Sequence, residues 1–221
     1  NMDLRIEDFI KKAKSVDMIY LDSPNNPTGF QFSNKDLEKL IKSFSGPVII
    51  DEAYSEFSNS SVLRLVKKYP NLILVKTLSK AFGLAGLRIG YMIADKKFTE
   101  IFSNVIQYPY PLNTMAIECG ILALEKSKQI TSIFENIKKQ RTRIIQNLKK
   151  YDAFDVFDSN ANFVLFDAKG ADTRVYNALI EQGISIRKLG KLASHKGCLR
   201  VTIGTSDMNS KFLLAIRDLL E

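Results

Sequence analysis

The sequence predicts an α/β chain in which a mostly parallel, helix-covered sheet precedes a smaller α+β domain. Two observations carry this. Up to about residue 107, short apolar runs alternate with helical patches. The runs are apolar throughout rather than at every second position, the pattern of strands buried on both faces. Beyond Pro109 and Pro111 the order changes to two helices, then strand, helix, two strands and a helix. The prolines forbid a continuing helix and mark the boundary. Residues 1–111 and 112–221 are therefore read as separate domains, the second opening on a linker helix.

The elements follow from local signals. Met18–Leu21 reads as a strand that the turn-forming segment Pro24–Gly29 ends. Ser33 is a candidate N-cap for a helix reaching about Phe44, since its hydroxyl can accept from first-turn amides. Pro47–Ile50, Asn71–Val75 and Arg88–Ala94 are further strands. Ser60–Lys68 and Lys96–Asn104 are helical. Asn113 to about Lys126 forms the linker helix. A long amphipathic helix follows, with Ile130, Ile133, Phe134, Ile137, Ile144, Ile145 and Leu148 along one stripe. The last part reads strand (Asn162–Phe166), helix (Thr173–Gln182), short strand (Ile184–Arg187), strand (Cys198–Ile203) and helix (Asn209–Leu220).

Composition narrows the function classes. The 221 residues are 45% hydrophobic and 25% charged, an ordinary globular balance, with a net charge of +8. The lysines are scattered as doublets rather than gathered in a stripe, so solvated helix faces explain them better than a nucleic-acid footprint. An anionic substrate fits the excess as well. Two cysteines without CxxC spacing argue against a disulfide framework or zinc site. The single histidine, His195, reads as a surface loop residue, and no metal is expected. Without a signal-like or membrane-spanning run, the chain reads as soluble and cytoplasmic.

Three segments place polar groups directly after apolar strands: Asn26 in Asn25–Gly29, Asp51 with Tyr54, and Lys80 in Thr77–Tyr91. Each alone has an ordinary explanation, namely a turn, a helix cap and a surface lysine. In an open parallel sheet, however, ligands bind outside the carboxyl ends of the strands. If the three strands are parallel neighbours, the clusters meet at one edge and suit an anionic aromatic ring. Lys80 is preferred to Lys76 because it follows its strand, whereas Lys76 sits at the strand's end. Arg88 offers a planar bidentate fork, and Thr77 and Ser79 offer neutral donors, as a phosphate cradle requires. Arg200 alternates with the apolar Leu199 and Val201 and so faces away from them. Glu52 receives no role.

In this order and spacing, the motifs Asn25–Gly29, Asp51–Tyr54, Thr77–Tyr91 and Gly197–Thr205 resemble the pyridoxal-phosphate aminotransferases of fold type I, and within them the histidinol-phosphate aminotransferases. The resemblance runs from about Met18 to Leu220. It implies pyridoxal 5'-phosphate as cofactor and a three-layer α/β/α large domain, with residues 1–111 as its C-terminal part and 112–221 as linker helix and small domain. It also implies roles. Lys80 would hold the cofactor covalently and, once freed, move a proton. Asp51 would keep the pyridine nitrogen protonated, making the ring an electron sink. Asn26 and Tyr54 would donate to the phenolic oxygen, and Thr77, Ser79 and Arg88 would take the phosphate. Arg200, with Arg187, would bind the anionic end of the substrate, and Lys188 and Lys191 would add to the field.

The implied reaction converts L-histidinol phosphate and 2-oxoglutarate to imidazole acetol phosphate and L-glutamate, in a cytoplasmic homodimer that binds neither nucleic acid nor membrane. An aromatic or other class I/II aminotransferase, and a phosphothreonine decarboxylase, are the alternatives within the class. The family's N-terminal strands, its Gly-rich phosphate turn and the aromatic that stacks on the ring have no counterpart here. The expectation is thus a partial chain with an unpaired sheet edge. A non-catalytic piece is the alternative from a different class.

Overall fold

The computed structural model describes residues 4–221. They form two compact units, one of residues 4–24 and 31–132 and one of residues 25–30 and 133–221.

The first unit is built on a four-stranded mixed sheet, β1 (Ile19–Asp22), β2 (Val48–Asp51), β3 (Leu72–Thr77) and β4 (Gly90–Ile93), in that spatial order. β1, β2 and β3 run parallel, and β4 closes the series antiparallel to β3. The parallel strands pair without stagger, Ile19 with Val48 with Leu72 and Asp22 with Asp51 with Val75. Helix α1 (Ile6–Ala13) precedes β1, and α2 (Asn34–Ser43) and α3 (Leu63–Val66) lie between the parallel strands in sequence. α4 (Lys96–Ile101) runs on into a π-helical turn, Phe102–Ile106, and α5 (Thr114–Glu125), the expected linker helix, belongs to this unit.

Alternation decides what each strand buries. Leu21, Val48, Ile50, Leu72 and Leu74 are deeply buried, while Tyr20 on the opposite face is 59% exposed. That second face is only partly covered among the described residues. There Ile49, Ile73 and Val75 line a cavity of about 650 Å³ with Phe98 and Phe102 of α4 and its π turn. β1 and β4 are the sheet's edges among the described residues.

Ser33 caps α2 as expected, its Oγ accepting from the Asp36 amide at 3.1 Å. The expected helix over 60–68 contracts to the single turn of α3. The reason is tertiary: the Val62 amide and the Ser61 hydroxyl are both taken by the Glu52 carboxylate, which commits the approach to α3 to a loop. The amphipathic α1 has no counterpart in the sequence reading, although Ile6, Phe9, Ile10 and Ala13 follow helical spacing.

The second unit continues with α6 (Thr131–Leu148), which enters from the first. It holds β5 (Asp155–Val156), β6 (Phe163–Asp167), α7 (Asp172–Glu181), β7 (Arg187–Leu192), β8 (His195–Thr202) and α8 (Ser206–Leu220). Its antiparallel sheet has the order β5-β6-β8-β7. Phe166 of β6 lies at the centre of the core with Ile144, Val164, Leu199 and Ile216, its ring 5.2 Å from that of Phe154. The short strand expected to end at Arg187 instead begins there, and the last strand starts at His195 rather than Cys198. The polar run Arg187–Lys196 forms a two-strand hairpin, because an edge strand needs apolar residues on one face only. No helix among the described residues is long and apolar enough to cross a membrane.

Phe166→Ala is expected to cost about 3–5 kcal/mol and Ser33→Ala about 1 kcal/mol, read from urea unfolding. Equal losses would contradict this division of the packing.

Candidate functional site

The first unit gathers Asp51, Tyr54, Thr77, Ser79, Lys80 and Arg88 at the carboxyl ends of β2 and β3. Asp51 is the last residue of β2, and its Oδ1 accepts from the Ala53 amide at 2.9 Å, turning the chain sharply. Its Oδ2 accepts from the Tyr20 hydroxyl at 2.5 Å. Tyr20 was missed in the sequence, though the signal was there. It lies two residues before the end of β1, on the face that in-register pairing gives to Asp51.

Burial, and then the Asp51 carboxylate, hold the Tyr20 phenol well above the ordinary tyrosine value. The bond therefore contributes fully below the unfolded pKa of ~10 and is lost only as pH climbs through the higher folded value.

Tyr54, buried, follows in the turn, and the Lys80 Nζ lies 5.7 Å from its ring centroid. Lys80 itself is exposed, in a loop held by the buried Leu78, whose amide donates to Ile89 and whose carbonyl accepts from Leu84. Antiparallel pairing sets Thr77 opposite Gly90, two residues from Arg88. The Thr77 hydroxyl accepts from the Ser79 amide at 3.1 Å, so it also builds the turn. Arg88 adopts a left-handed backbone, φ 53°, and its guanidinium donates to the Ala85 carbonyl of its own turn.

Lys76, the rival amine, is fully engaged by its surroundings. Its Nζ donates to Ser55 Oγ at 2.6 Å and Glu56 Oε1 at 2.8 Å and lies 3.4 Å from Glu52 Oε2. Burial pulls the ammonium's pKa down, but Glu56 and Glu52 outweigh it and leave the pKa above the ordinary value.

Asn26, Arg187 and Arg200 belong to the second unit. In the turn 25–30, Asn25 Oδ1 accepts from the Thr28 hydroxyl at 2.6 Å, and the Phe30 amide donates to Thr28 Oγ1. Gly29, at φ +73°, sits so close to Ser159 that an added Cβ would lie 2.2 Å from its Oγ. Arg200 donates to Asn26 Oδ1 at 2.5 Å. Arginine only donates, so the oxygen of the Asn26 amide faces it. The Arg200 guanidinium also lies 4.8 Å from the Phe163 ring centroid.

Arg187 pairs directly across the strands with Arg200, and both line a cavity of about 420 Å³ with Tyr176, Ser185 and Thr202. Like charges directly opposite each other are unfavourable without an anion between them. Lys188, expected to add to the field, lines the same cavity and is engaged with Thr173 at 2.6 Å and Asp172 at 3.7 Å.

His195 corrects the sequence reading. It lies in β8, half-buried, with Nδ1 3.1 Å from Asp167 Oδ2 and Phe157 against its ring. Asp155, Asp167 and His195 bring ligand-type atoms within 4.8 Å of one another. Asp167 Oδ1 accepts from the Lys169 and Gly197 amides and Asp155 pairs with Lys169 at 3.2 Å, whereas His195 Nε2 is buried without a hydrogen-bond partner.

Saturating inorganic phosphate is expected to raise the melting temperature, by about 2.7 kcal/mol of stability at a hundred times its Kd. Arg187→Ala should remove most of that gain; an undiminished gain would contradict an anion held between the guanidiniums. In an alkaline absorbance titration, Tyr20→Phe should remove amplitude from the late-ionising end only. Loss of amplitude near pH 10 would contradict the raised phenol.

Comparison with known proteins identifies the family. Residues 1–216 match the family described as Aminotransferase class I and II. The histidinol-phosphate aminotransferase of Flavobacterium psychrophilum is 38% identical, over 99% of this chain and 63% of its own length. The histidinol-phosphate aminotransferase structure from Clostridium acetobutylicum is 30% identical, with a TM-score of 0.90 over 99% of this chain and 68% of that one. The L-threonine-O-3-phosphate decarboxylase structure from Porphyromonas gingivalis is 26% identical, with a TM-score of 0.82 over 93% and 65%. The chain spans about three fifths of the length of the curated relatives it matches. The chain belongs to the class I and II aminotransferase family.

Proposed function

We propose that this chain carries the cofactor lysine and most of the ring-holding groups of a pyridoxal-phosphate aminotransferase acting on L-histidinol phosphate and 2-oxoglutarate. The observation that carries the cofactor reading is the placement of Asp51, Tyr54 and Lys80 at one sheet edge, with the rival Lys76 sequestered by two carboxylates. The donor set fits the cofactor: a carboxylate for the pyridine nitrogen, a phenol for the ring oxygen, an amine for the aldehyde, and Thr77, Ser79 and Arg88 for the phosphate.

When bound, the cofactor supplies a covalent attachment for the amino group and a ring that accepts electrons. The chain's own residues do the rest. Asp51 holds a proton on the ring nitrogen, and Tyr54 orients the ring oxygen. Lys80 would accept the proton from the substrate's α-carbon and deliver it to the cofactor's aldehyde carbon, as a positioned general base and then acid. Asn26 would assist at the ring oxygen.

Arg187 and Arg200 support a doubly charged substrate group such as a phosphate monoester, because both arginines line one small cavity. The homodimer and the histidine-biosynthetic role are proposed with the substrate. The apolar residues that α5 exposes, Met115, Ile121 and Leu122 among them, suit a buried subunit contact. A phosphothreonine decarboxylase is the second reading, favoured by the similarity to the P. gingivalis structure and compatible with the same arginine pair.

In the complete gene product, added pyridoxal phosphate should give a visible absorbance band that Lys80→Ala abolishes, with turnover falling by about 10²–10⁴-fold or more. A band unchanged in Lys80→Ala would refute the cofactor assignment. Keto-product formation from histidinol phosphate, without release of carbon dioxide from threonine phosphate, should separate the two substrate readings.

A further inference from the structure

Glu52 stands beside Asp51 in sequence but points to the other side of the sheet edge, where a second set of charged groups is hidden. Its side chain is only 2% exposed and that of Lys76 12%. Alternation along β3 puts Lys76 on the face of Leu72 and Leu74, opposite that of Val75, the residue paired with Asp51.

One carboxylate oxygen of Glu52 accepts from the Val62 amide at 2.6 Å, the other from the Ser61 hydroxyl at 2.7 Å. The Lys76 ammonium lies 3.4 Å from Glu52 and bonds to Ser55 and Glu56. One lysine of β3 thus grips the turn after β2 at three side chains, with Tyr54 between two of them. β3 then runs directly on to Thr77 and the Lys80 loop.

We propose that Glu52 and Lys76 are positioning residues, a buried brace that fixes the Asp51–Tyr54 turn relative to the strand leading to Lys80. The proposal rests on the cofactor reading above. Packing alone does not require charges here. A buried ion pair replaced at both partners by neutral groups of similar volume often leaves stability unchanged, whereas removing one partner strands the other. What neutral groups do not reproduce is the set formed by two directed hydrogen bonds and one ion pair from a single ammonium to three points of the turn. Misplacing catalytic groups by about 1 Å costs up to 10²-fold.

The test compares Lys76→Met with the combined variant Glu52→Gln/Glu56→Gln/Lys76→Met in the complete gene product, so that no partner of the ammonium is left charged. Melting temperature and the dissociation constant for pyridoxal phosphate are both measured. Lys76→Met alone, which strands two carboxylates, should melt earlier. The combined variant should recover most of the melting temperature yet bind the cofactor about tenfold more weakly, with the pH midpoint of its visible band displaced. Recovery of wild-type affinity and midpoint along with stability would overturn the proposal, leaving a purely structural cluster. Should the combined variant not fold, Glu52→Gln, which leaves Lys76 paired with Glu56, decides by the same two readouts. Lys80→Ala is the control: if it keeps the band, the cofactor reading fails rather than the brace.

Discussion

Three strands that run the same way and pair without stagger must end at the same level, and the site depends on that. Asp22, Asp51 and Val75 lie in one row, so the residues following β1, β2 and β3 emerge from one edge of the sheet. Register also decides which carboxylate faces the edge. A one-residue slip in a strand of period two exchanges its faces. Such a slip in β2 would bring Asp51 to the apolar face of Leu21 and Leu74 and expose Glu52 in its place. The buried positions of Leu21, Ile50 and Leu74 therefore fix Asp51 on the open face and Glu52 on the hidden one. Burying apolar side chains sets the chemistry, because the charged groups have no other side to occupy.

Charge in this chain serves separate ends. Glu38 illustrates the surface kind. Lys68 first, then Tyr69, hold its carboxyl down to about 2, yet the group is open to solvent and such pairs add little stability. The Glu52–Lys76–Glu56 cluster is the buried kind, in which every charge has a partner and removal of one leaves another stranded. The Arg187–Arg200 pair is different again: two cations held opposite each other by strand pairing, facing a cavity. A net charge of +8 distinguishes none of these, because it records the excess and not its placement.

Much of the site was legible in the sequence for a specific reason. Continuous apolar runs located β1, β2 and β3, and a ligand edge follows from parallel topology alone, so Asp51, Tyr54 and Lys80 could be named together. Ser33 was legible because capping is local. What could not be read depends on contacts distant in the chain. The contraction of α3 follows from Glu52 claiming Val62, and the burial of His195 follows from Asp167 lying on a neighbouring strand. The hairpin of β7 and β8 is polar enough to pass for a loop. Tyr20 was hidden differently: its periodicity was visible, but its reach to Asp51 needed the register of two strands.

The central claim is that Lys80, and not Lys76, is the amine that carries the cofactor at this edge. The most direct measurement is borohydride reduction of the cofactor-loaded complete protein, followed by peptide mapping. The account predicts a single pyridoxyl group on the peptide bearing Lys80, at the Lys80 side chain. A pyridoxyl group on Lys76, or label spread over surface lysines without preference for Lys80, would contradict it.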